Sequence, residues 1–355
     1  MPDDAAPGNP AGDPGDAPPP THAERARRAR ALAARLAALP LRVERARCDV
    51  APVAVPSYPG GPRPSSTLVL ECAGHAGRGE HVGWTDEAHA GFAERVAALP
   101  LARCTTVADA GALARERLPD PYDRAALETA AIDLALRQAA TDAFLLCGKA
   151  PRPVRYVLSF ERVADPAARA RSELAPNPGL ELKVDADPAW SDDTLAALES
   201  LGRVAVLDFK QSGTRADHLR AHRVLPHALL EDAPQGTEAW PAALRARLAL
   251  DAAISSAADV AALDDLPAAV NVKPARVGGV LEALAVIAAC ASRGVDVYVG
   301  GMFEVGVGRV LAQTLASLFS PDGPNDVAPI ALAGRPAPRP HRLVVAPPAG
   351  GGLAS

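Results

Sequence analysis

Five ionisable residues recur at nearly regular intervals in the second half of this chain, and their spacing constrains the fold more than any other feature. Each one ends a short apolar segment, and successive members are 25, 23, 20 and 22 positions apart: Lys183, Asp208, Glu231, Asp251 and Lys273. Each interval has about the length of one strand with the helix that follows it. The spacing therefore predicts a series of βα units whose strands end on charged side chains.

Short apolar segments alternate with helical or turn segments from about residue 153 onward. We predict strands at "VRYVLSF", "LELKVD", "VAVLDF", "HALLED", "RLALDA", "AVNVKP" and "VDVYVGG". Such alternation predicts parallel strands with crossover helices, and seven or eight units predict a closed (β/α) barrel. A doubly wound open sheet is the alternative. No G-x-G-x-x-G motif follows a strand, so a dinucleotide site has no support.

The chain divides into four predicted regions. Residues 1–40 hold an acidic, Pro/Gly-rich tail, predicted to be disordered, and a surface helix rich in Ala and Arg. Residues 41–152 carry β-like segments before a long helical stretch, which predicts an α+β domain. Residues 153–330 form the predicted barrel, and 331–355 a C-terminal segment expected to pack back on the α+β domain.

Composition excludes several classes of partner. The net charge of −5 offers no basic excess for nucleic acid or an anionic membrane. The N-terminal sequence lacks the pattern of a signal peptide, and no run reaches the ~20 apolar residues of a membrane span, so we expect a cytoplasmic protein. The five scattered cysteines, without a C-x-x-C pair, predict reduced thiols and no zinc site.

The strand-end residues predict a metal site with two lysines. In a parallel barrel the carboxyl ends of all strands meet at one mouth, so Asp208, Glu231 and Asp251 would lie together between Lys183 and Lys273. Crowded carboxylates need a cation, and all-oxygen ligation favours Mg²⁺, with Mn²⁺ as the alternative ion. Such an ion holds a substrate carboxylate and stabilises the enediolate formed when the neighbouring carbon loses a proton. A lysine near the metal then serves as the base.

The same motifs resemble a known family. "LKVD", "LDFKQSG", "LLEDAP", "LALDAAISS", "NVKPARVGG" and "GGMFEVGVGR" resemble, in order, the strand-end motifs of the enolase superfamily, in particular its muconate-lactonizing subgroup. The resemblance covers about residues 41–330. It implies an α+β capping domain over a modified (β/α)₇β barrel, with Asp208, Glu231 and Asp251 as metal ligands and Lys183 and Lys273 as the acid/base pair. A lysine base beside Mg²⁺ is the superfamily's known chemistry.

The segment "GGMFEVGVGR" followed by "SPDGPNDVAP" is most similar to o-succinylbenzoate synthases and N-acylamino acid racemases. This resemblance implies a Mg²⁺-dependent lyase that dehydrates a cyclohexadiene carboxylate in menaquinone synthesis. An N-acylamino acid racemase, a dipeptide epimerase or a muconate-type cycloisomerase is the alternative on the same site. A small carboxylate is the implied substrate, and its implied contacts are Lys210, Gly301, Met302 and Glu304. A homo-oligomer is one expected oligomeric state of the protein.

Four positions depart from the family pattern. The first lysine of the usual Lys-x-Lys is Glu181, the usual Asn two residues after the first metal ligand is Lys210, and the usual Asp-Glu pair of the fifth strand is Asp251 with Ala252. The capping-domain loop near "SYPGGPRPSS" is also short. These departures leave the ligands and both lysines in place but weaken the choice of substrate.

Other interpretations of these residues stay open at the level of sequence. We expect Asp185 to be a loop residue, although "KVDADPAW" also suits a ligand stretch. Gly278 and Gly279 permit a tight turn or place a helix N-terminus for an anionic substrate group. Glu304 either lines the pocket or caps the next helix. Two different functions also remain, a Schiff-base aldolase built on Lys273 and a relative that only binds a ligand.

Overall fold

The computed structural model describes residues 20–53, 63–234, 240–330 and 337–353. The predicted disordered tail, apart from its last residues, and most of the short loop near "SYPGGPRPSS" lie outside these described residues. The strands are β1 (Arg45–Val53), β2 (Arg63–Cys72), β3 (His75–His81), β4 (Val157–Phe160), β5 (Glu181–Asp185), β6 (Val204–Asp208), β7 (Leu229–Glu231), β8 (Leu248–Leu250), β9 (Ala269–Val272) and β10 (Asp296–Val299).

The helices of the first half are α1 (His22–Ala37), α2 (Asp86–His89), α3 (Phe92–Ala97), α4 (Val107–Arg117), α5 (Pro121–Gln138) and α6 (Ala143–Cys147). Those of the second half are α7 (Pro166–Leu174), α8 (Asp192–Glu199), α9 (Arg215–Val224), α10 (Ala242–Arg245), α11 (Ala257–Ala261), α12 (Val280–Ser292) and α13 (Val307–Phe319). Within the described ranges, no helix combines the length and apolarity that crossing a membrane requires.

The N-terminal region folds as an antiparallel sheet covered by one long helix. Strands β1, β2 and β3 pair in that order. The sheet approaches α5 so closely that a Cβ on Gly79 would lie 1.8 Å from the carbonyl oxygen of Ala126. Glycine in β3 is therefore required for the contact between sheet and helix. Apart from two residues at each end and a partly exposed Arg124, α5 is buried on all sides.

The second half forms the predicted barrel-like sheet. Seven parallel strands run in the order β4 to β10, with helices between them, and curl into a half-barrel. In the register of this sheet, Asp185 pairs with Asp208 and Asp208 pairs with Glu231, so these three residues stand side by side. The predicted fold class, a TIM-like barrel with an α+β capping domain, is confirmed. The predicted domain limits stay a proposal.

A two-residue segment bridges the gap between the first and last strands. Asn325 accepts a hydrogen bond from the Val157 backbone N–H of β4 at 2.9 Å, and Asp326 donates its N–H to Val299 of β10 at 2.9 Å. Asp326 also accepts from the Gly301 N–H at 3.0 Å. This segment therefore takes the place of an eighth strand and carries the Asp326 side chain to the mouth of the barrel.

Two glutamates of the N-terminal region fasten it to the barrel. Glu80 on β3 accepts backbone hydrogen bonds from Val305, Gly306 and Gly308 at the start of α13, at 2.7, 2.9 and 3.2 Å. Glu128 on α5 accepts the Leu281 N–H at the start of α12, at 2.8 Å. Carboxylates suit helix N-termini because the free N–H groups and the helix dipole favour negative charge there. The antiparallel sheet is thus held against two barrel helices.

Candidate metal and acid/base site

The structure brings the five predicted strand-end residues together. Lys183, Asp251 and Lys273 line a cavity of about 350 Å³ at the carboxyl ends of the barrel strands. Asp208 and Glu231 lie beneath its surface with no exposed area. Their catalytic and metal-binding roles stay predictions, but the predicted proximity is a feature of the fold.

Three carboxylates form the centre of the site. Asp208, Glu231 and Asp251 each offer an oxygen, and these oxygens all lie within 4.8 Å of one another. All three side chains are buried, a costly arrangement for anions without a cation nearby. Oxygen donors at this spacing fit a hard divalent ion such as Mg²⁺ or Mn²⁺. The donor set therefore suits the predicted metal.

Glu231 is held by two neighbours that the sequence analysis missed. The hydroxyl group of Tyr298 donates to Oε2 at 2.5 Å, and the amide of Asn271 donates to Oε1 at 3.2 Å. Burial raises the pKa of Glu231 to about 8, against the opposing effect of the Lys183 ammonium. The two-residue period of a strand could have identified Asn271. It stands two residues before Lys273, and side chains at this spacing point to the same face of the sheet.

Asp251 is fixed from both ends. Its Oδ2 accepts from Lys273 Nζ at 2.7 Å, and its Oδ1 accepts from the Arg276 guanidinium. Its backbone N–H donates to the carboxylate of Asp232 at 2.8 Å, and the N–H of Ala252 donates to the same carboxylate at 3.1 Å. Burial alone would raise the pKa of Asp251, but Lys273 and Arg276 hold it well below its ordinary value.

Lys183 lies on the other side of the carboxylate cluster. Its Nζ contacts Glu231 Oε1, lies 3.0 Å from Asp208 Oδ2 and 3.7 Å from Asp326 Oδ2. Burial would lower the pKa of this lysine, but these carboxylates together raise it well above its ordinary value. Lys183 therefore carries its charge in this arrangement.

A glycine leaves the room that Lys273 and Asn271 need. A Cβ on Gly300 would lie 2.3 Å from Asn271 Oδ1 and 3.0 Å from Lys273 Cε. A methyl group there would push the lysine and the amide out of position. Gly300 therefore belongs to the site, although the sequence analysis placed it only at the end of the predicted strand "VDVYVGG".

The predicted substrate contacts divide into two groups. Lys210, Gly301 and Met302 line the cavity. Glu304 does not: its carboxylate accepts the Met302 N–H at 2.8 Å and lies 3.8 Å from the Arg309 guanidinium. It also does not cap α13, because Glu80 takes that position. Neither role considered for Glu304 matches its place in the structure.

Two further expectations need correction. Asp185 is the last residue of β5 and lines the cavity, where it pairs with Lys210 at 3.2 Å, so it is not a loop residue. The N-terminus of α12 after Gly279 does not face a substrate, because the Glu128 carboxylate occupies it. A Cβ on Gly279 would lie 2.3 Å from Glu128 Oε1, so the glycine serves this contact.

The sequence departure at Glu181 has a structural explanation. Its carboxylate pairs with the Arg155 guanidinium, with Nη2 2.8 Å from Oε1, and does not line the cavity. The residue at this position therefore binds Arg155, two residues before β4, instead of contributing a lysine to the cavity. Lys183 alone reaches the carboxylate cluster from β5.

The cavity wall includes residues that no sequence motif indicated. Trp84 of the N-terminal region and Phe303 of the barrel pack edge to face with ring centres 5.6 Å apart, and both line the cavity. Arg63 lies over both rings and donates to the Met302 carbonyl oxygen at 2.6 Å. Glu161, directly after β4, lines the cavity with Oε2 buried and unpartnered among the described residues.

Comparisons with known proteins agree with this architecture. Residues 150–333 match the family described as "Domain of unknown function (DUF8230) C-terminal domain", and residues 34–144 match its N-terminal domain. The chain is 33% identical to an N-succinylamino acid racemase from Amycolatopsis over 161 residues, 42% of this chain and 44% of that protein. It is 36% identical to an o-succinylbenzoate synthase from Enterococcus faecalis over 166 residues, 46% of this chain and 40% of that protein. The aligned part thus spans less than half the length of these relatives.

Solved structures show the same fold over most of the chain. A dipeptide epimerase from Methylococcus capsulatus, complexed with a Mg ion, has a TM-score of 0.74 and 23% identity and covers 88% of this chain and 99% of its own. An enolase superfamily member from Enterococcus faecalis has a TM-score of 0.70 and 22% identity, covering 89% and 94%. At these identities the likeness shows the fold. The predicted resemblance to the enolase superfamily is confirmed.

Proposed function

The chain belongs to the DUF8230 family, and we propose that it removes a proton next to a carboxylate group of a small substrate with the help of Mg²⁺. The observation that supports this most is the placement of two lysines around one carboxylate cluster. Lys183 contacts Asp208 and Glu231, whereas Lys273 contacts Asp251. Both line the same cavity.

The two lysines reach the cavity from different sides. Lys183 belongs to β5 and Lys273 follows β9, and three strands separate these two in the sheet. A substrate between them would present one face to each amine. One lysine then takes the proton from the carbon, and the other delivers a proton or stabilises charge with its ammonium group.

Mg²⁺, when bound by Asp208, Glu231 and Asp251, would hold the substrate carboxylate and stabilise the negative charge that develops as the proton leaves. Lys183 accepts a proton only after Asp208 and Glu231 cease to stabilise its ammonium form, as they would when serving as metal ligands. The apolar wall of Trp84 and Phe303 excludes water from the reacting face.

Dehydration to o-succinylbenzoate is the first candidate reaction, supported by the Enterococcus faecalis relative and the "GGMFEVGVGR" segment. It needs one base, with the second lysine acting as a cation. The second candidate is racemisation of an N-acylated amino acid or epimerisation of a dipeptide, which needs both amines as bases. The unpartnered carboxylate oxygen of Glu161 favours the dipeptide within this candidate, because a dipeptide carries an ammonium group whereas an N-acylated amino acid does not.

The test is proton exchange at the carbon next to the carboxylate, followed by NMR in D₂O. The panel contains the cyclohexadiene carboxylate, N-succinylamino acids and dipeptides, each with Mg²⁺ and with EDTA. We expect exchange or turnover of one class with Mg²⁺, neither with EDTA, and no turnover in Lys183→Ala. Exchange that persists in EDTA, or borohydride trapping of substrate on Lys273, would contradict the proposal and support the aldolase. Silence across the panel with Mg²⁺ bound would support a ligand-binding relative.

A further inference from the structure

The chain uses lysine in only four places, Lys149, Lys183, Lys210 and Lys273, and the last three line one cavity. Lys183 and Lys273 have proposed catalytic roles, whereas Lys210 has so far only been an implied substrate contact. We propose that Lys210 is a tethered cation that competes with the metal ion for Asp208, so that metal binding moves its ammonium group toward Asp185. This inference rests on the metal-binding part of the proposed function.

Lys210 binds both oxygens of Asp208. Its backbone N–H donates to Oδ1 at 3.0 Å, and its Nζ donates to Oδ2. The same Oδ2 lies 3.0 Å from Lys183 Nζ. An ion that takes an oxygen of Asp208 as a ligand must therefore compete with an ammonium group of the same charge sign.

The backbone around Lys210 is built for this contact. Lys210 and Gln211 have φ angles of 50° and 59°, a left-handed conformation that is rare for residues with side chains. The Gln211 N–H donates to the Asp232 carbonyl oxygen at 2.9 Å, which helps to hold the turn. The turn directs Lys210 back over Asp208. Strained conformations of this kind cluster at functional sites.

Lys210 also has a second partner and room to move. Its Nζ lies 3.2 Å from Asp185 Oδ1, so the ammonium keeps a carboxylate when it leaves Asp208. The Lys210 side chain is 46% exposed, whereas that of Lys183 is 1% exposed. Lys210 can therefore shift without opening the packed core, in contrast to Lys183.

Electrostatics sets the direction of the effect. An ammonium group and a divalent ion that share one carboxylate repel each other strongly at a partly buried site. Loss of the Lys210 charge should therefore tighten Mg²⁺ binding by about 10-fold or more. A 10-fold change in affinity corresponds to only a small part of the repulsion energy between the ammonium group and the ion. The free energy of unfolding should change little, because the lysine side chain is half exposed.

The test is isothermal titration calorimetry of Mg²⁺ into the full-length chain. Lys210→Met removes the charge, Lys210→Arg keeps it, and Lys149→Met is the matched control on a lysine outside the cavity. We expect tighter binding only for Lys210→Met. Equal or weaker binding by Lys210→Met, while wild type binds Mg²⁺, would overturn the inference and leave the proposed metal site intact. Absence of Mg²⁺ binding in every variant would overturn both.

A second readout follows the lysine itself. With ¹⁵N-labelled lysine the side-chain NMR spectrum holds four lysine Nζ positions, and Lys210 is assigned by the signal lost in Lys210→Met. We expect Mg²⁺ to shift the Lys210 signal and to leave the Lys149 signal in place. A Lys210 signal that does not respond to saturating Mg²⁺ would contradict the proposed movement.

Discussion

Among the described residues, two groups of side chains hold metal-ligating atoms within 4.8 Å of one another: His81, Asp120 and Asp123 in the N-terminal region, and Asp208, Glu231 and Asp251 at the barrel mouth. In the first group every member already has a protein partner. Asp123 binds the Arg95 guanidinium at 2.7 and 3.1 Å and lies 2.9 Å from His81, while Asp120 caps the start of α5. The group joins helices and strand into one network.

The barrel group differs in charge and in access. Its carboxylates also have cationic partners, namely Lys183, Lys210, Lys273 and Arg276, but among the described residues no guanidinium group holds one of them by two bonds. It also borders a cavity, whereas the residues of the first group do not line it. Proximity of ligating atoms is therefore, by itself, a weak criterion for a metal site. An all-carboxylate donor set beside a cavity separates the candidate metal centre from the structural network.

Removing one carboxylate from each group gives the largest contrast. Asp251→Asn should lower Mg²⁺ affinity more than the roughly 10- to 100-fold loss typical of outer-shell changes, because a ligand itself is lost. Asp123→Asn should leave Mg²⁺ affinity unchanged and lower the free energy of unfolding by about 2 kcal/mol, because a buried charge pair is broken. Calorimetry with Mg²⁺ and urea unfolding measure the two effects. Loss of Mg²⁺ binding in Asp123→Asn would reverse the comparison.

Replacing Lys273 separates the two candidate reactions. If the chain is a racemase or epimerase, Lys273→Ala should reduce turnover by about 10²- to 10⁴-fold, the usual contribution of a positioned acid or base. If it is a dehydratase, Lys183 remains as the base, and dehydration of the cyclohexadiene carboxylate continues at a rate lowered only by loss of the stabilising ammonium group. NMR in D₂O on both stereoisomers measures this. Full activity in Lys273→Ala on every substrate would exclude a role for this lysine.

Gly300→Ala tests how tightly the barrel group is packed. The added methyl group would lie 2.3 Å from Asn271 Oδ1 and 3.0 Å from Lys273 Cε, so we expect activity to fall by about 10- to 100-fold. Gly202→Ala is the control for glycine replacement in general, since a Cβ at Gly202 meets no atom within 4 Å, although its φ of 59° adds a backbone strain that Gly300→Ala lacks. Steady-state rates and thermal unfolding of both variants separate an effect on activity from an effect on stability. An equal loss of activity in the two variants would show that the loss does not come from the contacts with Asn271 and Lys273.

The sequence predicted the site better than its surroundings, for a physical reason. Parallel strands bring their carboxyl ends together, so unit spacing alone placed Lys183, Asp208, Glu231, Asp251 and Lys273 near one another. The closure of the barrel by Asn325 and Asp326 was not predictable, because a two-residue bridge inside "SPDGPNDVAP" has no periodicity. Contacts such as Tyr298 with Glu231 depend on the curl of the sheet, which residue spacing does not specify.

Glu161→Gln tests whether the cavity beside the barrel group selects a substrate with an ammonium group. If Glu161 binds an ammonium group, the variant should raise KM for dipeptides by about 10-fold, the value of one charge-assisted hydrogen bond, and leave kcat nearly unchanged. Turnover of an anionic N-succinyl substrate should hold or improve. Steady-state kinetics on both substrates measures the ratio. An equal effect on both would show that Glu161 does not select charge.

The smallest expected effect concerns a buried acid outside both groups. Burial raises the pKa of Glu128 to about 7 from 4.5, so the folded chain binds more protons between these values and the free energy of unfolding falls as pH rises through them. Glu128→Gln removes this loss of stability. The free energy of unfolding of the variant, relative to that of wild type, should therefore rise by on the order of 2 kcal/mol between about pH 5 and pH 8.

Urea unfolding at both pH values measures the difference, with exposed Glu116→Gln as the control. A gap between Glu128→Gln and wild type that stays constant with pH would show that Glu128 keeps an ordinary pKa at the α12 N-terminus.

The most direct test of the metal centre is a crystal structure of the wild-type protein soaked with Mn²⁺, with anomalous diffraction recorded. We expect one strong anomalous peak among the carboxylates of Asp208, Glu231 and Asp251, within about 2.2 Å of their oxygens, because Mn²⁺ is a small hard ion. A peak between His81, Asp120 and Asp123 in its place, or none at the barrel mouth at saturating Mn²⁺, would contradict it.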